Sequence, residues 1–303
     1  MNFPVLNTDS VMSRQEWSEA AGFHADEVGR LVDGYLAKKS NQRSEPVIDF
    51  LFTYYSFRPA WLKRWSPGHS VLLKDAAGND HFRHRDFTHS GNDLFLDPTQ
   101  FPDKRLNALN WTVSLLEAVD KRPPFFGCTG LHEWAMVYKA GEVRHERWPL
   151  RVSDEVLEHT LTSLPVQCSH FDAFRFFTDE ARPLNLMQPS RDTMLQNEQP
   201  GCLHTNMDLY KWAFKLYPWV SGELLLETFL LAREARIMDM KASPYDLAEL
   251  GYEPIPIETE TGRVEYKKQQ ALIWKKASVL RKRLLSYLVE LQHAVNYNQP
   301  ITI

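Results

Sequence analysis

The chain has little cysteine: three residues in 303. That excludes a disulfide framework, and the odd count in a reducing compartment points to free thiols, buried or chemically used. No apolar run approaches the roughly 20 residues a membrane span needs. The first residues, MNFPVLNTDSVMSRQEW, lack a basic segment followed by an apolar one, so no secretory signal is expected and a cytoplasmic protein is. Positive charge is not in excess: 35 Lys and Arg stand against 39 Asp and Glu, a formal net charge of −4. A protein built to grip nucleic acid usually shows a basic excess. Glycine-rich phosphate loops and alternating βαβ units are missing, which excludes Rossmann and P-loop domains. There is no repeat, no low-complexity tract and no obvious interdomain linker.

What is present is apolar and aromatic. Hydrophobic residues make up 43% and aromatics 12%, ample for a packed core. The pattern predicts an α+β protein, predominantly helical, with a few short strands in the middle third and a long C-terminal helix, folded as a single domain over 1–303. Residues 1–12 read as a loose tail. Ser13 with Glu16 is a capping box opening a helix to about Lys39. A polar break follows at 41–45. Pro46 starts an aromatic helix pair through Trp65, interrupted by Pro59. Residues 69–73 read as a short strand, and 76–91 as a polar, histidine-rich loop. Helices are expected over 104–120 and, capped by Ser153, over 153–164. Residues 166–177, aromatic and bounded by Pro165, read as the best strand, with Cys168, His170 and Asp172 on one face. A long loop over 182–199 leads to a helix with Leu209, Trp212, Ala213 and Leu216 at i, i+3, i+4, i+7. Helices over 221–240 and from 243 follow, the second closed by Gly251, then a hairpin across ETETG. The helix over 267–295 carries a heptad stripe, Ile273, Ala277, Leu280, Leu284, Tyr287 and Leu291. It is also strongly basic, through Lys267, Lys268, Lys275, Lys276, Arg281, Lys282 and Arg283. That run is either a solvated face or a phosphate-contacting surface.

All three cysteines stand two or four residues before a histidine: Cys128 before His132, Cys168 before His170, Cys202 before His204. His132, His170, Asp172 and His204, with Asp208 nearby, are ligand types for iron or zinc. Asp208, Asp172 and Glu133 lie in apolar, aromatic sequence, where a carboxylate with Lys211 beside it can activate water for hydrolysis. Tyr54, Tyr55, Arg58, Arg191, Tyr210 and Trp212 are the residues suited to stack and bind a planar substrate.

The runs DFLFTYYSFRPAWLKRWSPG, GCTGLHEWAMVY, CSHFDAFRFFT, PGCLHTNMDLYKW and DMKASPYDL resemble a family of bacterial proteins that carries the name 3-methyladenine DNA glycosylase. The resemblance covers most of residues 46–266. It implies a DNA-repair hydrolase that removes an alkylated purine from DNA, with DNA or the modified purine as partner. It assigns no role to an individual residue.

Three readings stand together: this base-excising hydrolase, a non-haem iron or zinc enzyme built on the His/Asp cluster with or without cysteine, and a non-catalytic binding protein that forms a homodimer through its last helix.

Overall fold

A computed structural model describes residues 10–40, 46–141 and 148–297. The elements run β1 (Ser10–Met12), α1 (Arg14–Ser40), α2 (Pro46–Thr53), α3 (Pro59–Leu62), β2 (Val71–Leu73), β3 (Phe87–Ser90), β4 (Asp93–Leu96), α4 (Asp103–Asp120), α5 (Leu131–Ala135), α6 (Asp154–Ser163), α7 (Phe171–Phe174), α8 (Met194–Asn197), α9 (Leu203–Lys215), α10 (Gly222–Ala242) and α11 (Glu260–Tyr297). The protein is α+β and predominantly helical, as expected, and it ends in a 38-residue helix. The strands, however, lie in the first third of the chain and not the middle third. The tail expected over 1–12 ends in one of them, β1, while residues 1–9 and the polar break at 41–45 lie outside the described residues.

The described chain separates into two compact units. The first comprises Met1–Val113, Tyr210–Phe229 and Lys282–Ile303. It holds the sheet, in the order β1-β2-β4-β3, with β1 parallel to β2 and the other pairs antiparallel. The Ser13–Glu16 capping box forms in both directions and starts α1. Trp17 is buried on this helix and donates its indole N–H to Lys74 O at 2.8 Å. Trp65, fully buried, donates to Glu223 at 2.6 Å. Gly68 has φ +80, and a Cβ there would collide with the Tyr287 hydroxyl, which accepts the His69 N–H at 3.1 Å. Only glycine satisfies both the backbone angle and this approach.

The second unit comprises Ser114–Leu209 and Leu230–Arg281. Trp134 of α5 is fully buried, and its indole donates to Ala242 O at 2.9 Å. Arg151 forks onto Glu258 at 2.6 and 2.9 Å. On α11, Gln270 donates to Gly201 O at 2.8 Å and Arg281 to Asn206 at 2.6 Å. These two bonds hold the turn into α9 and its first helical residues.

Three expectations change here. Residues 166–177 are not a strand. Val166 makes only an isolated bridge to Asn185, and α7 follows, because His170 Nδ1 caps it by accepting the Ala173 N–H at 3.2 Å. The hairpin across ETETG is the start of α11, where Thr259 accepts the Gly262 N–H at 3.0 Å. The helix expected from 243 is a bridge at Tyr245 and a short 3-10 turn, though Gly251 does close it at φ +77.

The heptad stripe of α11 is buried within the chain itself: Ile273, Ala277, Leu280, Leu284 and Leu291 are all core residues. Of the seven basic residues, Arg281 is buried, Lys276 pairs with Glu234 and Arg283 with Glu227.

Candidate functional site

The histidine-bearing segments converge within the second unit. Thr129 at φ 44 and Gly130 at φ 80 form a tight left-handed turn, closed by Leu131 N donating to Cys128 O at 3.0 Å. Gly130 is needed twice over, since a Cβ would also press on Tyr266 and Ala242. The turn sets Cys128 just ahead of α5 and brings its Sγ to 3.2 Å from His132 Nδ1. The other ring nitrogen, Nε2, donates to Asp239 Oδ1 at 2.6 Å. Asp239 lies on α10, one turn from Arg236, whose Nη1 donates to Asp239 Oδ2 at 2.7 Å and to Glu133 at 2.5 Å. All of these but Cys128 are buried; Cys128 is half-buried.

A second group lies beside the first. Asn185 accepts the Cys168 N–H at 2.7 Å and donates to Cys168 O at 2.9 Å, holding the extended backbone that leads to His170. His170 Nε2 is 3.3 Å from Asp208 Oδ2 and 3.7 Å from Glu198 Oε1. Glu198 follows α8 and Asp208 sits on α9, so three elements supply the three side chains, each buried. His204, one helical turn before Asp208, links the groups. Its ring stacks on His170 at 5.4 Å and meets His132 edge-on at 4.6 Å. α9 begins at Leu203, so His204 lies in its first turn.

The two groups differ in what they can hold. Each gathers at least three ligand-type atoms within 4.8 Å. Bonds of about 2.0–2.2 Å to one tetrahedral ion put neighbouring ligand atoms about 3.3–3.6 Å apart. His132 and Asp239, at 2.6 Å, are closer than that: they are hydrogen-bonded, and the second nitrogen of His132 faces a thiol. His170, Asp208 and Glu198, at 3.3 and 3.7 Å, have the spacing of a coordination shell that needs only small contraction.

Electrostatics sharpens the contrast. Burial works against charge on His132, but Asp239 and the Cys128 sulfur hold its pKa well above the ordinary histidine value. A hydrogen bond from the Cys168 thiol, opposed by burial and aided by His132, holds Cys128 well below the usual thiol value. Both shifts favour moving the Cys128 proton onto His132. Burial, then the charge on His132, keeps His204 neutral. The hydrogen bond to Cys128 and burial push Cys168 up, while burial and the Cys128 charge push Cys202 up to about 12.

The other predicted site residues lie as follows. Glu133 is buried and paired with Arg236. Asp172 is half-buried and pairs with Arg175 at 3.3 Å. The face it was to share with His170 does not form, because His170 caps a helix whose first turn holds Asp172. Arg191 is exposed in its loop. Tyr54, Tyr55, Arg58, Tyr210, Lys211 and Trp212 belong to the first unit. There Tyr55 meets Tyr54 at 4.9 Å and Tyr210 at 5.9 Å, Trp212 packs on Trp111, and Lys211 Nζ lies 4.3 Å from the Trp212 ring. Arg58 is exposed.

Glu198, Arg236, Asp239 and Tyr266 belong to the site and were not singled out in the sequence. Arg236 and Asp239, at i and i+3 in an otherwise apolar stretch of α10, carried the one available signal. Tyr266 is fully buried, its ring touches the position of Gly130, and its hydroxyl finds no hydrogen-bond partner among the described residues. Comparison of the chain with protein-family models, with curated proteins and with solved structures finds no match.

Proposed function

We propose that the protein is a metal-dependent enzyme whose ion, zinc or iron(II), is held by His170, Glu198 and Asp208. The observation that carries this reading is the spacing of one imidazole nitrogen from two carboxylates on different elements, at 3.3 and 3.7 Å, in a buried setting. An imidazole and two carboxylates suit zinc and iron(II), and three protein ligands leave positions for water and substrate. Bound there, the ion supplies Lewis-acid activation of a water or substrate oxygen. The His170 ring is fixed by its other nitrogen, Nδ1, which accepts the Ala173 N–H and directs Nε2 at the carboxylates; Nε2 carries the ring proton and must release it for an ion to bind.

Elemental analysis of protein purified without chelator tests the reading. About one zinc or iron per chain is expected, falling below about a tenth in His170→Ala and Asp208→Asn. A wild-type protein with less than about a tenth of an ion per chain sinks it.

Base excision from alkylated DNA, the expectation drawn from the family resemblance, is the reaction to assay first on the same preparation. Release of 3-methyladenine that vanishes on chelation and in Asp208→Asn joins the two readings. Release unaffected by either separates them.

A further inference from the structure

The hydrogen-bonded group beside the proposed ion is not used by it, and its connectivity is that of an activated nucleophile. A thiol, an imidazole and a carboxylate lie in one line: Sγ to Nδ1 at 3.2 Å, Nε2 to Oδ1 at 2.6 Å. The carboxylate is itself fixed, because Arg236 binds its second oxygen at 2.7 Å and is anchored in turn by Glu133. The logic is nucleophile, base, orienting group. Among the three cysteines, Cys128 alone is partly exposed; Cys168 and Cys202 are buried. At the same turn the Tyr266 ring packs against Gly130, and its buried hydroxyl has no partner among the described residues.

We propose that Cys128 is a nucleophile, served by His132 as base and by Asp239 and Arg236 as positioning residues, that accepts an acyl group from an activated ester or thioester. The Cys128 sulfur attacks the acyl carbon and the bond to the leaving group breaks. The thiol proton passes to His132 Nδ1 and from there to the leaving alkoxide or thiolate. Water then gives its proton to Nδ1, its oxygen bonds to the acyl carbon, the carbon–sulfur bond breaks, and a carboxylic acid leaves. No oxidant, reductant or metal enters the balance. Acyl transfer is favoured over thiol oxidation because the base is placed to return a proton to a leaving group, and the neighbouring thiol, Cys168, is buried.

The test uses the full-length protein and p-nitrophenyl acetate. A burst of about one p-nitrophenolate per chain is expected, with the acetyl group found on the peptide containing Cys128. Cys128→Ser removes the burst. His132→Gln slows it by about a hundredfold or more, the usual contribution of a general base. Iodoacetamide at pH 6 alkylates wild-type Cys128 faster than Cys128 in His132→Gln, since the thiolate is the reacting form. The alkylation comparison needs no turnover, and circular dichroism checks that each variant is folded. A burst that survives in Cys128→Ser overturns the proposal. So does equal alkylation of folded wild type and His132→Gln. A burst abolished by a chelator also overturns it and leaves the reaction with the ion, so the two readings fail separately.

Discussion

At the scale of single residues, Arg236 sets the character of the second unit's interior. It is fully buried and holds two buried carboxylates, Glu133 and Asp239. Arg236→Met removes the cation and leaves both acids behind. Breaking a buried ion pair from one side costs about 3–5 kcal/mol. Guanidinium unfolding should show a loss of that size, and a loss under about 1 kcal/mol would mean the acids find other partners. Gly68 makes a separate prediction in the first unit. Gly68→Ala must fit a methyl group against the Tyr287 hydroxyl at a positive φ. Tyr287→Phe removes the oxygen in the way, so the double variant should be more stable than the sum of the single losses predicts. A double-mutant cycle measures this coupling; strict additivity would show that the contact is not the cause.

Elements show how much of the molecule is legible in the sequence. Where a local device ends a helix, the reading is right: Ser13 with Glu16, Ser153, and Gly251 all act as their residue types suggest. Where local pattern competes with a distant partner, it fails. Residues 166–177 alternate like a strand, but among the described residues Val166 finds only an isolated bridge, and the His170 side chain caps a helix instead. The start of α11 reads as a turn because Thr259, Thr261 and Gly262 are turn residues. Thr259 uses the same chemistry as a helix cap. Thr259→Ala should therefore cost about 1 kcal/mol in a denaturant titration, the usual worth of such a cap. The candidate site divides the same way. Each Cys–His spacing is visible in the sequence, and Cys128 does meet His132 four residues on. Glu198 and Asp239 are not legible, because what gives them meaning is contact with residues 28 and more than 100 positions away.

At the scale of the whole molecule, the −4 net charge and the burial of the α11 stripe bear on assembly and pH. The apolar positions once assigned to a partner helix are consumed inside the chain. Sedimentation of the wild type against Ile273→Ala should show a change in stability without a change in mass. A variant that alters the oligomer instead would support the homodimer through the last helix.

Acid stability follows from two other histidines. Burial lowers the pKa of His24, which bonds Leu62 O at 2.9 Å, and of His81, which bonds Trp65 O at 3.0 Å. A folded-state histidine pKa below the unfolded one means that the unfolded chain binds more protons as pH falls. Their contribution is therefore complete above the unfolded value, about 6.5, and is lost as pH drops below it. Urea midpoints measured between about pH 8 and pH 5 should fall, and His24→Gln should flatten that fall. An unchanged slope in His24→Gln would place the acid sensitivity elsewhere.

The uneven exposure of the three thiols has one more consequence. A chromogenic disulfide reagent added to the native chain finds Cys168 and Cys202 buried and Cys128 in a half-buried residue, whereas the unfolded chain offers it all three thiols together. The colour released per molecule thus rises from at most about one equivalent to about three as the second unit opens. Cysteine reactivity becomes a built-in counter of local opening, read without a label or an engineered reporter, and confined to the part of the molecule that carries the candidate site.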